Sequence, residues 1–227
     1  MVDEQSLDDV SGEYADNLAE SMKDALDLLT RDILVAATNR QYAGIAATRG
    51  GASGVGSGMY LNLAELREAK RTLKRNNVKP VRGEDGKYPV ILHPDAMFDL
   101  ESDSNITTFF KDVVLQEANR ELFSVSFKDL PLGFRLFETT NARIFASLGL
   151  SGGDVYQTHV LGQEAYGLIS LEALPARIIR KARGSGGTSD PLDQIATIGW
   201  KAAHAAVILD QARHVVIEHI TSAKNAA

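Results

Sequence analysis

The chain has 227 residues, 24 basic and 30 acidic side chains, a net charge of −6 and 44% hydrophobic residues. A chain of this size buries about three quarters of the surface it exposes when unfolded, so it can build a core unaided, and this ordinary composition excludes collagen-like, mucin-like and wholly disordered classes. The absence of cysteine rules out a disulfide, a thiolate nucleophile and a cysteine–zinc site, while the acidic balance argues against nucleic-acid binding by phosphate neutralisation.

In chain order, the first element is a long amphipathic helix from about Ser11 to Ala37. Leu18, Met22, Ala25, Leu29, Ile33 and Ala36 recur at helical spacing, and Glu13, Asp16, Glu20, Asp24 and Asp27 interleave as an acidic stripe. Such a helix is about 40 Å long and suggests a backbone for the whole molecule. The acidic stripe reads as a solvated face, or as a surface that meets a basic segment or a neighbouring subunit. The stretch RGGASGVGSG, from Arg49 to Gly58, is half glycine and reads as a mobile loop or linker.

A second helix follows, with Asn62 as its cap, Glu65 at the capping-box position and Leu63, Leu66, Ala69 and Leu73 as the buried stripe. Lys70, Arg71, Lys74 and Arg75 crowd its C-terminal end, where cations suit the helix dipole; Asn76 and Asn77 end it. Tyr88 to Leu92 reads as a buried strand, Asp95 to Leu100 as a short helix after the His93-Pro94 break, and Ile106 to Asn119 as weakly helical. Strands are expected at Phe134 to Thr139, Val155 to Leu161, Ala165 to Leu171 and Ala176 to Lys181, with a loose loop from Arg183 to Ser189. The C-terminal part reads as an Ala-rich helix by propensity, or as a long strand from Ile195 to Val207 and another from His214 to Ile220. No transmembrane helix is expected, since no apolar run is long enough. The opening MVDEQSLDDV lacks the apolar run of a signal peptide.

Few patterns invite chemistry. Gly54, Gly56 and Gly58 lack the preceding strand of a dinucleotide site and read as loop. Gly83 to Lys87 (GEDGK) is too short for a phosphate-binding loop and reads as a turn. Gly149-Leu150-Ser151-Gly152-Gly153 matches the nucleophile-elbow pattern, with Asp190, Asp193, His204 and His214 following in triad order. A strand rather than a helix is expected after Gly153, so an ordinary turn is the better reading. His214 and His219, in HVVIEH, are spaced so that they converge on one metal from neither a helix nor a strand. No catalytic, cofactor-binding or metal-binding residue is assigned, and no cofactor is expected.

The last third carries a resemblance. Asp190-Pro191-Leu192, Gly199-Trp200-Lys201 and AVILDQARHVVIEHI resemble the C-terminal region of the major capsid proteins of N4-type tailed bacteriophages. LAELREAKRTLKRNNVKP, VILHPDAMFDL, GFRLFET and VLGQEAYG fall in the same order, so that the likeness covers about Asp24 to Thr221. It implies an α+β Hong Kong 97-like capsid fold with a long spine helix, a peripheral P-domain sheet and an axial A-domain. Residues 1–59 would be the spine helix and loop of the P-domain, 60–146 the A-domain, and 147–227 a return to the P-domain with C-terminal strands. On that fold the Ala-rich C-terminal part becomes largely strand.

The implied function is structural: a non-enzymatic major capsid protein that self-assembles as hexamers and pentamers into an icosahedral virion shell. It would enclose DNA without sequence-specific binding, assemble in the host bacterial cytoplasm, use scaffolding or decoration proteins as further partners, and touch no membrane. Family members carry an N-terminal arm and an E-loop upstream of the spine helix. This chain starts almost at that helix, so the expectation is a truncated core that stays a monomer or small oligomer. The alternatives are an encapsulin-like compartment and, further off, a small serine hydrolase using Ser151.

Overall fold

The computed structural model describes residues 10–83, 85–108, 129–130, 133–169, 176–186, 191–192 and 196–223. Helix α1 covers Val10–Val35, α2 Leu63–Arg75 and α3 Pro94–Glu101. Strands β1 (Arg40–Tyr42), β2 (Tyr88–Leu92), β3 (Asp129–Leu130), β4 (Phe134–Glu138), β5 (Ile144–Phe145) and β6 (Val155–Leu161) precede β7 (Tyr166–Ile169), β8 (Arg177–Lys181), β9 (Thr197–Lys201), β10 (Ala205–Ile208) and β11 (His214–His219). Among the described residues no helix is long and apolar enough to cross a membrane. The expected helix beyond Thr108 and the end of the second loose loop lie outside the described residues.

The chain forms two compact units, residues 1–30 with 168–207, and residues 31–167 with 208–227. The larger unit holds a seven-stranded mixed sheet in the order β1-β11-β6-β2-β4-β3, with β5 also paired to β6. The central strands β6 and β11 are antiparallel, with His214 opposite Leu161 and His219 opposite Tyr156. Strand β1 runs parallel to β11, and β2 parallel to β4. These long-range pairings draw 31–59, 147–167 and 208–227 into the same unit as 60–146, so the compact units have other boundaries than the three segments read from the sequence.

The core of this unit is built from the periodic residues. Leu63, Leu66, Ala69 and Leu73 of α2 are buried with Tyr88, Val90 and Leu92 of β2, Leu100 of α3, Phe134 and Leu136 of β4, and Val215 and Ile217 of β11. The side chain of Asn62 accepts the Glu65 N–H at 3.0 Å and opens α2. Asn77, in the left-handed region at φ 56°, leads the chain out of it. The Glu65 carboxylate does not close a capping box. It accepts from Gln41 Nε2 at 2.6 Å and from the Gly44 N–H at 2.9 Å, tying α2 to the segment after β1. His93 caps α3 by accepting the Asp95 N–H at 3.2 Å, with Pro94 in the first turn, where its missing N–H costs nothing.

The smaller unit holds most of α1 and the antiparallel pair β8–β9, in which Ile179 faces Gly199. All five residues of β8 are exposed. The boundary between the units falls inside β7 and β10, which pair as a separate two-stranded sheet. The C-terminal third is therefore strand, as the resemblance implied, although the single strand expected from Ile195 to Val207 is two strands interrupted at Ala202–His204. The helical propensity of the alanines is overridden because strand pairing buries side chains that a local preference does not see.

Candidate functional site

Every residue of β6 and of β11 is buried, so the polar residues among them must find partners inside the protein. Glu218 is fully buried. It accepts from Arg49 Nη2 at 2.6 Å and Arg49 Nε at 2.9 Å, and from Gln157 Nε2 at 2.9 Å, with Arg40 Nη1 at 3.7 Å. The Arg49 guanidinium also stacks over Phe145, 3.6 Å from the ring centroid. The hydrogen bonds to Glu218 raise its pKa above the usual value.

His219 Nδ1 lies 2.9 Å from the Ile220 carbonyl oxygen, which only an N–H can satisfy, so Nε2 accepts from the Thr158 hydroxyl at 2.9 Å. His159 Nδ1 and His214 Nε2 are 3.0 Å apart, while His159 Nε2 and His214 Nδ1 have no hydrogen-bond partner. Burial pushes His159 down to about 3, with the nearby His214 adding to the shift, and takes His214 and His219 down to about 4. All three imidazoles are neutral at pH 7. His214 and His219 turn to opposite sides of β11, as their spacing requires, and among the described residues no group of three or more His, Asp or Glu is placed to hold a metal ion.

The glycine-rich stretch expected to be a mobile loop or linker is a loop whose middle, Gly54 to Gly56, is buried. Gly50, Gly54 and Gly56 serve close approach: a Cβ on Gly50 would sit 2.6 Å from the Leu148 carbonyl oxygen, and one on Gly54 2.6 Å from the Gly50 backbone, whereas Gly51 and Gly58 supply positive φ in open space. Val55 is fully buried and its carbonyl accepts the Leu150 N–H at 2.7 Å. The Arg49–Glu218 pair pins the start of the loop to β11.

That partner segment contains Ser151, at φ 61° in a one-turn 3-10 helix, Leu150–Gly152. The backbone has the left-handed kink of a nucleophile elbow, but strand β6 follows it, and among the described residues no histidine or carboxylate hydrogen-bonds Ser151. His214 is held by His159, and His204 bonds the Thr30 hydroxyl at 3.0 Å. Asp190 and Asp193 lie outside the described residues. The GEDGK stretch is a turn, with Gly83, Asp85 and Gly86 all at positive φ.

The surface offers recognisable features. On α1 the outward side carries Glu13, Asp16, Glu20 and Asp24, all exposed. The apolar stripe read from the sequence splits: Leu18, Met22 and Ala25 are half-buried, but Leu29 and Ile33 are 53% and 38% exposed, and the buried position near the helix end is Leu34. Ile178 and Ile179 of β8 are exposed in the same unit. On α2, Arg67, Lys70, Arg71, Lys74 and Arg75 line one open depression. The buried Glu218–Arg49 and histidine pairs, the packed glycine loop and the exposed Leu29 and Ile33 escaped the sequence reading. Only the position of Glu218 in a continuous buried run hinted at a pairing need.

A model of the phage capsid protein family matches residues 1–217. No curated protein matches the chain. Among solved structures, the capsid asymmetric unit of cyanophage Pam1 superposes with a TM-score of 0.69 at 12% identity, over 97% of this chain and 71% of the phage chain. The capsid of Ralstonia phage GP4 gives 0.68 at 13% identity, over 99% of this chain and 71% of the other. The SrpI encapsulin complex of Synechococcus elongatus gives 0.56 at 11% identity, over 98% and 70%. A mixed sheet joined by long-range pairings, a long helix with outward apolar side chains and the match over nearly the whole length lead to one conclusion: the chain belongs to the phage capsid protein family, as a structural major capsid protein with the Hong Kong 97-type fold.

Proposed function

We propose that this protein works mechanically, as hexamers and pentamers of one chain that close into a shell around phage DNA in the host cytoplasm, without a catalytic step. One observation carries this reading. No described side chain of the smaller unit is buried, yet that unit exposes Leu29, Ile178 and Ile179. We read these side chains as surface that a neighbouring copy covers, and closed symmetry lets many copies of one modest contact hold a container. In this reading α1 with β8 and β9 belongs to the peripheral domain, and the seven-stranded sheet with α2 and α3 to the axial one.

DNA is enclosed without sequence readout, since an acidic chain repels phosphate overall. No serine-hydrolase step is assigned, because among the described residues no histidine or carboxylate hydrogen-bonds Ser151; a fluorophosphonate probe is expected to leave it unlabelled. Negative-stain electron microscopy of the protein tests the shell. Closed particles are expected, against the dispersed core expected from the sequence, because the smaller unit exposes apolar side chains that a neighbouring copy can cover; particles filled with protein cargo would favour the encapsulin-like alternative. Dispersed protein at every concentration and salt tried would sink the shell reading.

A further inference from the structure

Two charged helix faces on this chain match each other. Helix α1 presents Glu13, Asp16, Glu20 and Asp24 to solvent without ion pairs among the described residues, beside Asp27, which is already engaged, and Lys23. Helix α2 presents Arg67, Lys74 and Arg75 without ion pairs among the described residues, flanked by Arg71, which pairs with Glu68 at 2.7 Å, and by Lys70. Both rows repeat every three or four residues, so their charges advance by about 4.5 to 6 Å per step along each axis. The acidic row from Glu13 to Asp24 is about 17 Å long and the basic one from Arg67 to Arg75 about 12 Å, so the first can span the second.

We infer that the basic face of α2 is a docking surface for the acidic face of α1 of a second copy of this chain. This rests on the shell-forming reading and names one of its contacts. A single exposed ion pair contributes little, but several in a row form a network. The same complementarity steers copies into register and penalises the like-charged juxtapositions α1 on α1 and α2 on α2. A second copy fits better than a nucleic acid, because the complementary charge lies on the same chain with the same helical period, and the chain as a whole is acidic.

The test uses the whole protein as an equal mixture of unlabelled and 15N-labelled chains, treated with a zero-length carbodiimide. Mixed-isotope peptides joining Lys74 or Lys70 to Glu20 or Asp24 are expected, and only an intermolecular contact produces them. In parallel, self-association is followed by sedimentation for Arg67→Glu/Lys74→Glu/Arg75→Glu, for Asp16→Lys/Glu20→Lys/Asp24→Lys, and for the chain carrying both sets. Each triple reversal should weaken association about tenfold and flatten its dependence on salt, and the combined reversal should restore it. Crosslinks within one label only, or reversals without effect, overturn the inference. So does a basic-face reversal that loses only duplex DNA binding, measured by anisotropy. If closed particles form regardless of the reversals, the inference falls and the shell reading stands. If mixed-label crosslinks and charge-swap rescue appear without closed particles, the contact stands and the shell reading falls.

Discussion

Glu218 is a charge at the centre of a sheet, and its cost is met by Arg49, Gln157 and the more distant Arg40. Removing Glu218 strips Arg49, Gln157 and Arg40 of their shared acceptor, a cost softened because both arginines are partly exposed to water. Glu218→Ala should therefore lower the urea midpoint, and limited proteolysis should begin cutting between Arg49 and Gly58, because the pair also anchors that loop. The buried histidines make a pH prediction. His159, His214 and His219 titrate at about 3 to 4 in the folded protein, against 6.5 unfolded. The unfolded chain binds more protons across that interval, so stability rises with pH from about 4 to 6.5 and is flat above it as far as these groups are concerned. Denaturant midpoints measured across this range check the sign; a midpoint that falls with rising pH there contradicts the buried neutral assignment. None of these pairs was legible in the sequence. A histidine or glutamate in HVVIEH reads alike whether it faces water or a partner strand, and the partners lie 55 residues or more away.

At the scale of elements, local signals were reliable where local physics decides. Helix α2 follows its stripe and its cap to the residue, because periodicity and the Asn62 side chain act within one turn of the chain. Asn62→Ala should cost about 1 kcal/mol by removing that cap, read as a lower thermal midpoint. Helix α1 shows where such signals mislead. Its spacing announces an apolar stripe, but Leu29 and Ile33 at the end of that stripe are exposed. Leu29→Asp should leave the stability of the dispersed chain within about 0.5 kcal/mol while suppressing particle formation in electron microscopy. Glycine content misled for a related reason: a run of glycines permits flexibility and close packing equally, and only the presence of Leu148 and Leu150 against the loop selects packing.

At the scale of the molecule, burial is unevenly divided. Among the described residues the fully buried hydrophobic side chains all belong to the unit built on the seven-stranded sheet, and in the two-stranded pair β8 is exposed along its length while Ile198, Gly199 and Trp200 of β9 are half-buried. Two strands alone are marginal in water, so that unit should open easily in the dispersed protein. Hydrogen exchange by mass spectrometry should show weak protection in α1 up to Thr30 and in β8 and β9, strong protection in β6 and β11, and a gain confined to the first group on assembly. Composition, charge, helix α2, the central strands and the family resemblance were determined by the sequence itself, since each depends on residues near one another in the chain or on an order of motifs along it. The strand character of the alanine-rich end, the buried Glu218–Arg49 pair, the packed glycine loop and the outward face of α1 were decided only by tertiary structure. Each depends on what lies across the sheet or beyond the subunit surface, and a strand buried at every position, as β6 and β11 are, shows no alternation that would mark which residue meets which partner.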